Sequence, residues 1–413
     1  MNISILTIGD EICIGQIVNT NAAWIASQVT QLGANVKLHS SIGDELEEIT
    51  GEIGRLLKTS DMILVTGGLG PTHDDITRTA LCEFFEDELK FHEPTFEFLK
   101  ERYARRGMEV SERNKLQAML PSKCEVLKNS RGTAPGMLFT TDGKILISMP
   151  GVPNEMKGIM ADHVLPLLKE KMAKSTSVHV FKTLLTNGIP ESTLADLLGD
   201  TAEFLKGGTL AFLPSYHGVR LRIGAVAENF LKGNLEIARV EEYIRSKAEK
   251  YIYGEGEQNL ALAVGNLLKE KEKTISLAES CTGGLLGAAL TDAAGSSQYF
   301  MGSIICYSNE AKIELLNVPS ETILNNGAVS CEVAEALAKN VRLRFKTDYG
   351  MSITGIAGPG GGTLEKPVGT VWIGIADEHS VRAKKFIFGT ERMVNRELSV
   401  GAALGILLKS LQS

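Results

Sequence analysis

The run LAESCTGGLLGAAL, residues 277–290, ends an apolar stretch on an adjacent serine and cysteine, Ser280 and Cys281, followed by Gly283 and Gly284. Three readings fit that pattern. Ser280 is a nucleophile at a strand-to-helix turn, with backbone amides at the helix start placed to meet an oxyanion. Alternatively, Cys281 is the nucleophile of a cysteine amidohydrolase. Or the turn only packs small residues, with Ser280 as a helix cap. A serine nucleophile needs a base, and His379, in the charged loop ADEHS, is the one histidine of the last third of the chain. The segment CYSNEAKIELLNV, residues 306–318, offers a lysine instead. Ser308 reads as an N-cap, so Lys312 falls in the first turn or so of a helix, where the dipole favours the neutral amine. A partly buried lysine of lowered proton affinity is a competent general base. An ordinary lysine at that place is solvated surface.

A third segment, SITGIAGPGGGTLEKPVGTVWIGIA, brings Thr354 and Gly355 to a strand end and then a run of glycines. Each glycine carries an entropic cost, so the run suits a loop whose amides wrap a sugar or phosphate better than it suits a hairpin. Arg396, or Arg392, on the last helix is placed to pair with that phosphate.

A second candidate site lies near the start of the chain. In TGGLGPTHDDITRTA, residues 66–80, Gly67, Gly68 and Gly70 follow an apolar strand, and their amides can form an anion-binding nest. Thr72 adds a hydroxyl donor. Asp74 and Asp75 sit where a helix begins, and two roles are open for them: a cap or a divalent-cation site bridging to a phosphate.

These stretches need strands and helices to carry them. From residue 1 to 168 strands such as ISILTIG and DMILVTG alternate with helices such as NTNAAWIASQVTQLG. That alternation predicts a doubly wound parallel sheet covered on both faces, with ligands beyond the carboxyl ends of its strands. GDEICIGQIVNTN and the glycine loop are therefore the loops to watch. Residues 169–254 read as a small α+β connecting domain, a spacer or an oligomerisation element. Residues 255–413 form a further α/β domain holding Ser280 and Lys312.

Bulk properties narrow the classes. The 413 residues carry a formal charge of −7, 43% hydrophobic and 23% charged residues. An acidic chain without a basic patch is not expected to bind nucleic acid directly. No apolar run reaches the roughly 18 residues of a membrane span, and MNISILTIGDEICIG lacks the basic start of a signal peptide. The six cysteines, at 13, 82, 124, 281, 306 and 331, have no CxxC spacing and read as reduced thiols of a cytoplasmic protein.

Taken in order, GDEICIGQIVNTNAAWIA, TGGLGPTHDDITRTA, NSRGTAPGM and MPGVPNEM resemble the competence/damage-inducible protein A (CinA) family. Its first domain is similar to the molybdopterin-binding fold of molybdenum-cofactor biosynthesis proteins. The resemblance implies a metal-dependent ADP-ribose pyrophosphatase over residues 1 to about 165. The glycine loop (Gly67, Gly68, Gly70, Thr72) would hold phosphates, Asp74 or Asp75 would lie near the metal, and Glu11 and Asn19 in the facing loop. The strings LAESCTGG, YSNEAKIELLNV, ITGIAGPGGG and KPVGTVWIG resemble the nicotinamide mononucleotide deamidase domain found alone or as the C-terminal half of CinA. This implies hydrolysis of the substrate carboxamide to nicotinate mononucleotide and ammonia by a serine–lysine pair, Ser280 and Lys312, with no metal. Along the matched strings Thr282, Gly283, Gly284, Tyr307, Thr354, Gly355, Gly358 and Arg396 are expected around the substrate. Where the family often has GDR, this chain reads GTER. A homodimer acting in pyridine-nucleotide salvage is the expected assembly. The alternative is a non-catalytic molybdopterin-like binding protein of competence or the DNA-damage response.

Overall fold

A computed structural model describes residues 1–72, 75–173 and 177–412, with every side chain but that of Arg113. The chain divides into two compact units, Met1–Phe181 with Gly224–Ile237, and Lys182–Ile223 with Ala238–Ser413.

In the first unit β1 (Asn2–Ile8), β2 (Asn35–Ile42) and β3 (Met62–Thr66) are followed by a short ladder of β4 (Leu89–Phe91) and β5 (Met119–Pro121), then by β6 (Glu125–Leu127), β7 (Gly136–Thr141) and β8 (Lys144–Met149). The main sheet has the order β2-β1-β3-β8-β7-β6. Its first four strands run parallel, and β7 and β6 then run antiparallel. The expected parallel sheet is thus mixed at one edge. The tight turn Asp142–Gly143, with both residues at positive φ, reverses β7 straight into β8 without a crossover helix. β3 (MILVT) is buried along its whole length, as a central strand covered on both faces must be. The helix Leu46–Thr59 repeats Ile49, Ile53, Leu56 and Leu57 on one stripe and packs it against Leu6, Ile8, Ile63 and Val65. Because β1, β3 and β8 are parallel, the loops after Ile8, Thr66 and Met149 all open at one edge.

Residues of the middle stretch form β9 (Val178–Thr186), β10 (Thr209–Ser215), β11 (Gly218–Ala227) and β12 (Ile252–Glu255), in the order β10-β11-β9-β12. The division between the two compact units passes through β9, β11 and the helix Phe230–Ala248.

In the second unit β13 (Ile275–Glu279), β14 (Phe300–Ile305), β15 (Tyr349–Gly355), β16 (Thr370–Ala376) and β17 (Val381–Ile387) form a sheet of order β14-β13-β15-β16-β17. β13 is parallel to both neighbours, and β16 and β17 are antiparallel. Strand alternation divides the core. Ile275 and Leu277 join Met351, Ile353, Ile373, Val264, Leu404 and Leu407 on one face, while Ala278 joins Val333, Leu337 and Val341 on the other. Among the described residues no helix is long and apolar enough to cross a membrane.

The second face is packed closely where β16 crosses the helix Cys331–Phe345. A Cβ on Gly374 would lie 2.5 Å from Ala334 O and 2.6 Å from Ser352 Oγ. Gly374→Ala is therefore expected to destabilise the second unit by about 1–3 kcal/mol, read as a lower midpoint in urea unfolding; an unchanged midpoint would contradict this packing.

Candidate active site

β13 ends at Glu279 and delivers Ser280 into a turn of glycines, Gly283 and Gly284 lying at φ +58° and +98°. The next helix starts at Leu285 with Gly284 as its N-cap. Ser280 therefore lies outside the helix and caps nothing. Its own N–H continues the sheet by donating to Ile353 O at 2.9 Å.

β14 runs parallel beside β13 and ends next to it, and the helix Asn309–Leu316 follows. Ser308 is its N-cap, accepting from Ala311 N–H at 3.1 Å. Lys312 is therefore the fourth residue of that helix and folds back under its first turn, only 1% exposed. Its Nζ lies 3.2 Å from Ser280 Oγ and donates to Cys306 O (2.8 Å), Tyr307 O (3.1 Å) and Ser308 O (3.4 Å). Burial holds its pKa below the ordinary lysine value, against the opposing pull of Cys306, Cys281, Tyr307 and Glu310. A neutral amine in that cage can give its two N–H groups to carbonyls and turn its lone pair to the Ser280 hydroxyl.

Cys281 is 6% exposed, and burial pushes its thiol up to about 11, with Lys312, Arg392 and Arg396 opposing. A thiol so placed is protonated near neutral pH and is a poor nucleophile.

The turn amides are divided. Gly283 N–H donates to Ser280 O at 3.0 Å, and Gly284 N–H to Glu279 Oε2 at 3.1 Å. Both glycine amides are thus committed within the turn, which these residues shape. Among the described residues, the N–H groups of Cys281 and Thr282 donate to no other residue.

Two arginines of the final helix (Arg392–Gln412) close the surroundings. Arg396 Nη2 donates to Thr282 O at 2.7 Å, while its Nε and the fully buried Thr282 Oγ1 have no partner. Arg392 donates to Gly358 O at 2.9 Å and to the Tyr307 hydroxyl at 3.0 Å. Gly358 and Tyr307 are thus joined through Arg392, the arginine of the GTER string. Thr354 gives its hydroxyl to Ala328 O at 2.8 Å and is 1% exposed. Gly355 backs onto Val371, where a Cβ would lie 2.7 Å from its side chain. The Thr354 hydroxyl and the Cα of Gly355 are thus both engaged within the fold.

In the first unit the glycine loop borders a cleft of about 500 Å³, within the usual size of small-molecule sites. Several expected phosphate donors are already committed. Gly67 N–H donates to Met149 O. Asp75 accepts from Gly70 N–H (2.7 Å), Thr72 N–H (2.8 Å) and the Thr72 hydroxyl. Asp75 therefore fastens the loop, and it does not cap the following helix Thr77–Phe84. Gly68 packs its Cα against Thr77, where a Cβ would lie 3.1 Å from Thr77 Cβ. Among the described residues the amides of Gly68 and Leu69 remain without a partner. Asn19 caps the helix Thr20–Gln31 through Ala22 N–H and also borders the cleft, as does Glu11. Asp74 lies outside the described residues. Among those described, no three His, Cys, Asp or Glu side chains come together closely enough to hold a cation.

Three residues here escaped sequence reading. Glu279 is a fully buried carboxylate under the Ser280 turn. Arg78, its pKa lowered by burial, clips Gly70 O (3.0 Å) to Leu116 O (3.2 Å). Gln117, beside Leu116, is 2% exposed and borders the cleft with an unpartnered Oε1. The LAES motif contained the first; nothing local marks the other two.

A mixed α/β architecture with a glycine-loop cleft in one unit and a buried serine–lysine pair in the other defines a modular protein of molybdopterin-binding type joined to a second α/β domain. Residues 4–170 match the family described as "Probable molybdopterin binding domain", 181–254 the damage-inducible protein CinA KH domain and 257–411 the CinA C-terminal domain. The chain belongs to the CinA family. It is 41% identical to a CinA-like protein of Cytophaga hutchinsonii over 99% of this chain and 97% of that one. To a CinA-like protein of Chloroherpeton thalassium it is 41% identical over 99% of both. The solved structure of competence/damage inducible protein CihA from Agrobacterium tumefaciens is 36% identical, covering 37% of this chain and 94% of that one at a TM-score of 0.36.

Thiol alkylation reads out the site directly. With iodoacetamide at neutral pH the exposed Cys13 is expected to label first while Cys281 and Cys306 stay unmodified, as followed by peptide mass spectrometry. Fast labelling of Cys281 in the folded chain would contradict its burial.

Proposed function

We propose that the C-terminal domain is an amidohydrolase acting on nicotinamide mononucleotide, releasing nicotinate mononucleotide and ammonia. The observation that carries this reading is the buried Lys312 amine 3.2 Å from Ser280 Oγ. A lysine without a buried carboxylate partner, kept short of its usual proton affinity, is the base such a serine needs. Ser280 Oγ attacks the carboxamide carbon and its proton passes to Lys312 Nζ. The oxyanion is met by the unpaired N–H groups of Cys281 and Thr282. When the tetrahedral adduct collapses, the C–N bond breaks and Lys312 returns the proton to the leaving ammonia. Water then attacks the acyl ester, giving its proton to Lys312, and Ser280 recovers one as the carboxylate leaves. Arg392 and Arg396 are the candidates for the substrate phosphate, with Tyr307 and Gly358 set by Arg392.

For the N-terminal domain we infer a nucleotide of the ADP-ribose class as ligand, with hydrolysis of its pyrophosphate as the expected activity. The cleft volume, the free amides of Gly68 and Leu69 and the unpartnered Gln117 support this. The described residues do not form a ligand set for the divalent cation expected at Asp74 and Asp75, and no step is assigned to one. A homodimer and a place in nucleotide salvage accompany the same reading.

The deciding measurement is ammonia release from nicotinamide mononucleotide by the full chain. Ser280→Ala and Lys312→Met are each expected to lower kcat by about 10³-fold or more, and Cys281→Ala to retain activity. Activity surviving Ser280→Ala would end the serine mechanism. Because Lys312 must be unprotonated to act and burial lowers its pKa, kcat/KM should rise with pH through a limb lying below the ordinary lysine value of about 10.4. A limb at or above that value would contradict the neutral-amine role.

A further inference from the structure

Glu279 immediately precedes Ser280 and is 0% exposed. Alternation along β13 sends its side chain to the same face as Ile275 and Leu277, which is where the helix Leu285–Thr291 begins. Its carboxylate collects four donors there: Gly284 N–H (3.1 Å) and Leu286 N–H (3.0 Å) on Oε2, Gly287 N–H (2.9 Å) and the Ser303 hydroxyl (3.2 Å) on Oε1. A carboxylate is costly to bury, and only a full set of donors offsets that cost. A helix whose N-cap is a glycine with no side chain takes its cap from the preceding strand instead.

The consequence falls on the turn between them. Glu279 O accepts from Cys306 N–H at 2.9 Å and Ser280 N–H donates to Ile353 O at 2.9 Å, so both neighbouring strands hold the start of the turn. The carboxylate holds its end. It also occupies the helix-start amides that would otherwise compete for an anion, leaving Cys281 N–H and Thr282 N–H as the free pair. No glycine amide of the turn remains to do that work.

We propose that Glu279 is the positioning residue of the Ser280 turn, fixing through the first-turn amides of the following helix both the nucleophile and the two N–H groups that face the oxyanion. This rests on the hydrolytic reading of Ser280. A glutamine is the same size but has one acceptor oxygen, and its NH2 would confront an amide N–H, so the turn loses its clamp without losing volume.

The test compares the full chain with Glu279→Gln and Ser303→Ala in the ammonia-release assay, with thermal melting alongside. Glu279→Gln is expected to lower kcat by about 10²-fold, the order of loss that accompanies a misplaced reacting group, with KM within about twofold. Ser303→Ala keeps the carboxylate and its three backbone donors and removes one side-chain donor, so a smaller loss of kcat at unchanged KM is expected. Should Glu279→Gln fail to fold, the kcat of Ser303→Ala decides. An unchanged kcat in folded Glu279→Gln, or an unchanged kcat in Ser303→Ala, would overturn the proposal while leaving the deamidase reading standing. No ammonia from the wild-type chain would overturn both.

Discussion

A primary amine buried without a carboxylate is the constraint around which the second unit is arranged. Lys312 is surrounded by carbonyl oxygens and one hydroxyl, and a cation in that cage would forfeit most of its hydration. The cage exists because β13 and β14 are parallel neighbours that end at the same edge, one handing over Ser280 and the other Cys306 and Tyr307. The helix after β14 must then begin at once, and Ser308 begins it by capping. A lysine one turn in has its stem along the helix start and its tip at the neighbouring strand's exit. Sheet direction, cap and side-chain length thus agree on one point in space.

Much of this was legible in the chain itself. The Ser308 cap could be read from its type and position, and it placed Lys312 correctly near a helix start. The alternating strands and helices showed the fold class of both α/β domains. The limits were those of backbone accounting. Gly283, Gly284, Gly67 and Gly70 looked like donors because glycine loops often are, but whether an N–H is free depends on partners far away in sequence, here Met149, or on side-chain direction, as with Glu279 and Asp75. At Thr354 and Gly355 the contacts with Ala328 and Val371 were equally illegible, because a residue at a strand end faces either the open edge or the next layer.

The two glycine turns of the protein share a device. In each, a carboxylate from the same stretch of chain holds the loop by its amides: Asp75 across Gly70 and Thr72, Glu279 across Gly284, Leu286 and Gly287. A loop rich in glycine is entropically expensive to hold still, and charge-assisted bonds to backbone N–H groups are strong enough to do it. The result is that, among the described residues, a short pair of amides in each loop is left unpartnered, Gly68 with Leu69 and Cys281 with Thr282. Rigidity and selectivity come from the same contact.

The pairing of β13 with β15 joins Ile275 to Tyr349 and Glu279 to Ile353, across a long stretch of intervening chain. Contacts so distant in sequence close late, since the loop entropy must be overcome before they reward it. Ser280 takes its place only when Ile353 receives its amide. During synthesis Ser280 and Lys312 would both have left the ribosome well before the strand that completes their geometry. The nascent chain therefore carries both side chains for some time before it holds them within reach of one another.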